Sequence, residues 1–529
     1  MFAVRFELGR ADALSQQPGG LLVASSASTR RHALSGGLAR RSEGAAKQRG
    51  ISPSPLVRFK PPRRQITVLF GKRIRYYSES FNGTIRKIHL SDKVLCATLS
   101  IMVASDKFDG QYRPRVVDAL VDDYLASFGG VVIEGAKWCG KTWTGREHTV
   151  STVYADREAI TGRALLDPDG LLAGARPMLV DEWQDAPGLW DVARRLIDDA
   201  GRPGQFIFTG SSVPPRNATK HSGTGRFARL RMRPMSLVES GDSTGEVSLG
   251  SMFDGATITP TISRLSYQEV IRLICRGGWP VSVGQSDQAA LRRPRAYLEE
   301  VAESDISRSD GVVRNPRRVM AVLRSLARND ATFTTLPKIQ EDVDGQEKNR
   351  SEISLPTLRS YCKALDRIFV IEDLPSWRFS LRSQDQLLAS AKRHFVDPSL
   401  AVAALDATPE TLAADPATTG FLFETLVIRD LRVYAQAFEG EVFQYHDKKG
   451  LEADAIITAP GGRWGAVEIK LGWQQEDQAA ASLLRLQSKL AVDPHLPAPA
   501  FLLIITGVSN AAHTRDDGIH VVPIDQLGV

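Results

Sequence analysis

Cysteine is scarce: four residues in 529, at Cys96, Cys139, Cys275 and Cys362, with no paired spacing. That excludes a disulfide framework and a zinc site built on cysteine pairs, and it fits a reducing compartment, the cytoplasm. No apolar run reaches the roughly 18 residues that a membrane helix needs, so no membrane partner is expected. Excess positive charge is absent from most of the chain. The net charge is +6, but residues 1–100 hold 18 Lys and Arg against 5 Asp and Glu, a balance of +13, so the other 429 residues carry −7. A bulk-charge argument for nucleic-acid binding therefore fails for the body, although a local basic face remains open. Residues 1–101 also lack sustained periodicity. Ala, Ser, Arg and Gly dominate the first fifty, and Pro53, Pro55, Pro61 and Pro62 follow. This stretch reads as a basic, disordered extension. Arg-rich, acid-poor N-termini can be transit peptides, or translation upstream of the real start, for which Met102 is a candidate.

The body has what the extension lacks. Val131-Val132-Ile133-Glu134 is a short β-branched run, and Gly135-Ala136-Lys137-Trp138-Cys139-Gly140-Lys141-Thr142 follows it, reading G-x-x-x-x-G-K-T. A strand feeding a glycine turn and then a helix N-terminus makes a phosphate cradle, because backbone N–H groups and the helix dipole both favour the anion there. Lys141 is placed to reach the β- and γ-phosphates, and Thr142 to put its hydroxyl on Mg²⁺. About forty residues on, Met178-Leu179-Val180 ends in Asp181-Glu182. Asp181 suits a Mg²⁺ ligand acting through water, and Glu182 the group that orients the attacking water. The strand Gln205-Phe206-Ile207-Phe208 ends in Thr209-Gly210-Ser211-Ser212, so Thr209 or Ser211 is a candidate γ-phosphate sensor. Arg226, opening a basic strand-like stretch, is the candidate transition-state arginine, in cis or from a neighbouring subunit.

The set G-A-K-W-C-G-K-T, L-V-D-E-W-Q, F-T-G-S-S and G-T-G-R resembles the prokaryotic AAA-type ATP-binding proteins that carry a C-terminal domain of unknown function. Gly277-Gly278-Trp279-Pro280, Tyr297 through Ile306, and Lys392 through Pro398 match too, so the resemblance covers roughly residues 110–529. It implies ATP and Mg²⁺ as ligands, a P-loop core with strand order five-one-four-three-two, and a winged-helix module after it.

Residues 246–395 read as mostly helical. Val319, Val322, Leu323 and Leu326 share a helix face, a polar gap runs from Glu341 to Arg350, and Leu358, Tyr361, Leu365 and Ile368 mark another helix leading into a strand. Arg359, Lys363 and Arg367 lie on its outer side, where such modules contact DNA and where a solvated face looks the same. After a connector at 410–419, an apolar helix holds Glu424, and strands hold Asp454 and Glu468-Ile469-Lys470. Alternate strand residues share a face, so Glu468 and Lys470 point together, with Asp454 across from them. This pattern resembles the PD-(D/E)xK nuclease core. It implies a second Mg²⁺ or Mn²⁺ on Asp454 and Glu468, with Glu424 and Lys470 assisting. The expected architecture is multidomain α/β. It comprises the extension (1–101), an AAA-type P-loop parallel sheet (102–245), a helical, winged-helix-like middle (246–395) and a restriction-endonuclease-like α/β domain (396–529). Two functions follow: an ATP-regulated enzyme acting on DNA, or a nucleotide switch that binds a partner without cutting it.

Overall fold

The computed structural model describes residues 65–70, 73–79, 85–87, 112–212, 221–346, 352–377 and 391–529. The chain divides into two units, 1–92 and 93–529. In the first, β1 (Gln65–Phe70), β2 (Arg73–Glu79) and β3 (Ile85–Lys87) pair as an antiparallel meander. The sequence reading of 1–101 as aperiodic misses these strands, and the rest of that stretch lies outside the described residues.

The second unit begins with α1 (Asp118–Ser127) and the apolar strand β4 (Gly130–Glu134). The phosphate-loop sequence then leads into α2 (Lys141–Glu147). β5 (Ser151–Tyr154), α3 (Glu158–Leu166), β6 (Met178–Asp181), α4 (Gly188–Ala200), β7 (Phe206–Gly210) and β8 (Phe227–Arg231) follow. All five strands are parallel, in the order β5-β6-β7-β4-β8. Numbered from β4 as first, that is five-one-four-three-two. A parallel sheet covered on both faces needs strands that are apolar throughout. Val131, Val132, Ile133, Leu179, Val180, Ile207 and Phe208 are all buried. One face packs on Trp183, Leu189 and Trp190, the other on Val117, Leu120 and Val121.

The middle begins with α5 (Tyr267–Arg276), closed at its N-terminus by a Ser266–Glu269 capping box. α6 (Asp287–Glu300) runs on through a π-turn to Arg308. Then come α7 (Pro316–Arg328), α8 (Leu336–Gln346), α9 (Leu355–Arg367) and a hairpin of β9 (Ile371–Leu374) with β10 (Lys392–Phe395). Helix α8 corrects the polar gap expected from Glu341. Only Ile339 and Val343, four apart, bury against the core, too thin a stripe to read in a polar sequence.

The C-terminal part is led by α10 (Pro416–Gln436), which begins inside the expected connector because Asp415 caps it by accepting the Thr418 N–H. β11 (Glu441–His446), β12 (Glu452–Ala459), β13 (Arg463–Gly472), α11 (Glu476–Leu490), β14 (Leu502–Val508), β15 (His513–Thr514) and β16 (His520–Pro523) follow. They form one mixed sheet, ordered β11-β12-β13-β14-β16-β15. Leu422, Phe423 and Leu426 of α10 share a core with Val467, Ile469 and Leu503, and Leu483 and Leu486 of α11 share one with Ala466 and Ile504. The α10 core is continuous with that of the middle helices. Leu527–Gly528 also pairs with Val247–Ser248, tying the end of the chain to the segment that leaves the P-loop domain.

Candidate nucleotide site and the C-terminal charge cluster

All β-strands of the parallel sheet end at one edge, and the sequence puts its candidate residues there. β4 runs into the loop at Gly135, where a Cβ would sit 2.0 Å from the Met232 carbonyl. Gly140 adopts φ +107°, open to glycine alone at low cost. Lys141 is buried and folds back over the loop, donating to the Ala136 carbonyl at 2.8 Å. Asp181, at the end of β6, accepts from the Thr142 hydroxyl at 2.9 Å and from the Thr209 hydroxyl. Burial pushes its carboxyl above the usual range, against those two hydrogen bonds. A buried carboxylate held by hydroxyls beside Thr142 fits a hydrated divalent cation. Glu182 takes a left-handed φ of 50° and accepts from the Ser211 hydroxyl at 2.9 Å and the Gln184 amide at 2.5 Å. Both sensor candidates therefore meet an acid, Thr209 meeting Asp181 and Ser211 meeting Glu182.

Arg226 is not brought to this edge. It precedes β8, and β8 lies parallel to β4 with Phe227 opposite Gly130, so Arg226 sits at the start of the strands while the phosphate loop follows their end. Five residues at about 3.3 Å each separate the two levels. Its guanidinium bonds Asp198 at 2.6 Å. The cis role expected for it is thus corrected by strand polarity.

The loop is also held by side chains distant from it in sequence, within its domain and beyond it. Arg115 donates to the Cys139 carbonyl at 2.6 Å and pairs with buried Glu239 at 3.0 Å. Lys137 meets Asp305 at 2.6 Å, and the Trp138 ring lies edge-on to Tyr297, which tilts on Trp279. The side chains of Lys137 and Trp138 therefore join the loop to the middle helices. Gly278 and Asp397, from two separate matched segments, meet at a second junction. The Gly278 N–H donates to Asp397, which Arg429 pairs at 2.8 Å, and Asp430 accepts the Leu237 N–H at 3.0 Å.

The C-terminal candidates converge where β12 and β13 part. Their ladder stops at Ala455–Val467, and Asp454, one residue beyond, accepts from the Ile469 N–H at 2.8 Å and Lys470 at 3.2 Å. Lys470 also meets Glu468 at 2.6 Å. Lys392, from β10, lies 2.5 Å from Glu424 and 3.6 Å from Asp454. Burial disfavours the Lys392 ammonium, but Glu424 and Asp454 outweigh it and hold its pKa above the ordinary lysine range. Burial, then the Asp454 charge, push Glu468 up to about 7. Three carboxylates and two ammonium groups leave the cluster close to neutral. The expected second Mg²⁺ or Mn²⁺ does not fit this arrangement. Among the described residues no three acids, histidines or cysteines converge as a metal-holding group, and the inward carboxylates are already met by lysines. In the sequence Lys392 stands out only within the segment Lys392–Pro398. Its role depends on a fold contact, not on a spacing.

Residues 127–240 match the family model of an AAA domain. With the loop and the strand order, this makes the segment an AAA-type P-loop domain, the part of such proteins that binds ATP. Residues 267–411 and 419–527 match two families described as domains of unknown function, DUF8612 and DUF4143. No curated protein matches the chain. Similar solved structures include a Walker-type ATPase of Pyrococcus abyssi, at 14% identity, 54% of this chain, 94% of that one and TM-score 0.33. A DNA replication initiation factor has 12% identity, 53% and 96% coverage and TM-score 0.20. Drosophila ORC bound to DNA has 11%, 56% and 94%, and 0.19. No described helix of this chain is long and apolar enough to cross a membrane.

Proposed function

We propose that the chain is an ATP-hydrolysing AAA-type switch that binds DNA through its middle module and its nuclease-like C-terminal domain without cutting it. The observation that carries the hydrolytic part is the meeting of Lys141, Thr142, Asp181 and Glu182 at one sheet edge. Lys141 holds the β- and γ-phosphates, and Thr142 and Asp181 hold Mg²⁺, which when bound offsets phosphate charge. Glu182 orients and deprotonates the attacking water, and Ser211, bonded to Glu182, links that base to the γ-phosphate position. Arg226 can serve only the nucleotide of a neighbouring copy, so a homo-oligomer belongs to this reading. The three helices and hairpin of residues 316–395 support a winged-helix reading, and Arg359 and Lys363 are exposed on α9. Among the described residues, the free thiols of Cys139, Cys275 and Cys362 suit the reducing cytoplasm.

The geometry favours binding over cutting for one reason: lysines occupy the acidic cluster. The test is turnover and nucleotide binding by variants. Lys141→Ala is expected to weaken or abolish ATP binding. Glu182→Gln is expected to keep ATP bound while slowing hydrolysis roughly 10²-fold or more. Normal turnover in both variants would remove this site from consideration.

A further inference from the structure

The phosphate loop is strained at Trp138, which takes a left-handed φ of 65°. A residue with a Cβ keeps that conformation only where its surroundings fix it. Here α6 and the π-turn after it supply contacts that do so. The Trp138 ring lies edge-on to Tyr297 at 5.6 Å, and Tyr297 is backed by Trp279 at 5.2 Å. The Trp279 indole N–H donates in turn to the Ser399 hydroxyl at 2.9 Å. The Tyr297 hydroxyl also accepts the Lys137 backbone N–H. The Lys137 ammonium bonds Asp305 at 2.6 Å, and Asp305 is buried. On a regular α-helix, residues spaced as Tyr297 and Asp305 are would stand about 80° apart. The π-turn at Val301–Asp305 takes up about one residue and turns Asp305 onto the face of Tyr297. Both side chains thus grip adjacent residues of the loop.

We propose that Tyr297 and Asp305 are positioning residues of the nucleotide site: by holding Trp138 and Lys137 they fix the phosphate loop in the shape that receives phosphate, so the middle module sets nucleotide affinity. This rests on the nucleotide reading of the edge at Lys141. Neither residue touches the nucleotide, and each acts through the loop. A phosphate cradle works by aligning backbone N–H groups on the anion. A loop already fixed in its bound shape loses less conformational freedom on binding and so binds more tightly. The ion pair with Asp305 also divides the work of the two loop lysines. Lys137 faces the middle module, and Lys141 remains for the phosphates. By linkage, whatever shifts α6 changes nucleotide affinity, and nucleotide biases α6 by the same factor.

The test is a double-mutant cycle on the full chain, with a fluorescent ATP analogue for affinity and hydrogen exchange of the nucleotide-free protein for loop order. Asp305→Asn, Lys137→Met, the two combined, Tyr297→Phe and Asp305→Glu are compared with wild type, and a cooperative melting transition establishes that each is folded. Asp305→Asn and Lys137→Met should each weaken binding roughly tenfold, and the combination should cost no more than about twofold beyond either, because both remove one pair. Tyr297→Phe should weaken binding as well, and Asp305→Glu should restore most of the affinity. Without nucleotide, amides 136–140 should exchange faster in the weakened variants, while those of β6 and β7 keep their protection. Wild-type affinity in both Asp305→Asn and Tyr297→Phe would overturn the proposal. A loss confined to Lys137→Met would also overturn it, since that lysine would then act on phosphate directly, and so would fully additive losses. The side chain of Lys137 is 35% exposed, so Lys137→Met keeps the comparison open if a buried variant fails to fold. A wild type with no affinity for ATP would sink the nucleotide reading instead, and the exchange comparison would still decide whether Tyr297 and Asp305 order the loop.

Discussion

At the scale of the residue, His148 shows how the helix after the phosphate loop is fixed. It caps the C-terminus of α2, and its two ring nitrogens face Asp122 at 2.7 Å and Asp118 at 3.3 Å, both on α1. Burial lowers its pKa, but the hydrogen bonds and charges of the two aspartates outweigh that and push it up to about 9. A raised folded-state pKa means the interaction is fully present below the unfolded value of about 6.5 and is lost as pH rises through about 9. Asp122 is largely exposed, so the contribution is discounted to roughly 1–2 kcal/mol. His148→Gln is therefore expected to lower the urea midpoint most at pH 6, less at pH 8, and hardly at all at pH 10. A deficit that stays constant across those pH values would show that the histidine acts through packing and not charge. Single residues were legible in the sequence where their partners are local. Lys141, Thr142 and Gly140 lie in one contiguous loop, and Asp181-Glu182 ends a strand that must neighbour it. His148 gave no signal, because its aspartates lie 26 and 30 residues away on another helix.

Among the elements, the β9–β10 hairpin has the greatest consequence, and the sequence disclosed only half of it. The apolar run 369–371 points to a strand, but β9 starts only at Ile371, after a turn in which Phe369 takes a left-handed φ of 59°, and β10 stands out only within the segment Lys392–Pro398. Glu372 is buried with three arginines from two other elements: Arg233 at 2.6 Å, Arg231 at 3.0 Å and Arg432 at 3.2 Å. Burial would raise its pKa, but the three guanidinium groups hold it well below the carboxylate range. Its contribution is thus present above about pH 4.5 and lost as pH falls below that. Removing the carboxylate leaves buried arginines without a counter-charge, which typically costs about 3–5 kcal/mol. Glu372→Gln should shift the main urea transition by that order at pH 7, and the difference from wild type should narrow as pH falls through the carboxylate range. A Glu372→Gln protein as stable as wild type at pH 7 would mean the arginines find other partners. Arg226 teaches the complementary lesson. Its sequence neighbourhood resembled an arginine at the phosphate, yet in a parallel sheet the residue before a strand and the loop after its neighbour stand at opposite edges. Strand direction decides that point, and motif spacing does not carry it.

For the whole molecule, charge separates two parts that the sequence already distinguished. Residues 1–100 carry +13 and the other 429 carry −7, and the division into units falls at residue 92. Every residue placed at the nucleotide edge or in the C-terminal cluster lies between 112 and 529. A chain beginning at Met102 is therefore expected to keep ATP turnover within about twofold and a melting temperature within about 2 °C of the full chain, since it retains all the described cores of the second unit. On the proposed DNA-binding reading, the middle module and the C-terminal domain make the positioned contacts, and the extension adds a sequence-independent electrostatic share whose loss should change affinity far more than turnover. Lys and Arg side chains bind phosphates with release of counterions, so each contact adds to the slope of affinity against salt. The extension supplies 18 such side chains to a body that is net negative. The full chain should thus bind any duplex at low salt and lose it steeply as salt rises. The truncated chain should bind weakly, with a shallower slope set by local faces such as Arg359 and Lys363. Fluorescence anisotropy with a labelled duplex at several salt concentrations reads both slopes. Equal slopes would place the DNA contacts in the body, and a collapse of turnover or melting temperature on truncation would mean that the extension supports the body's fold.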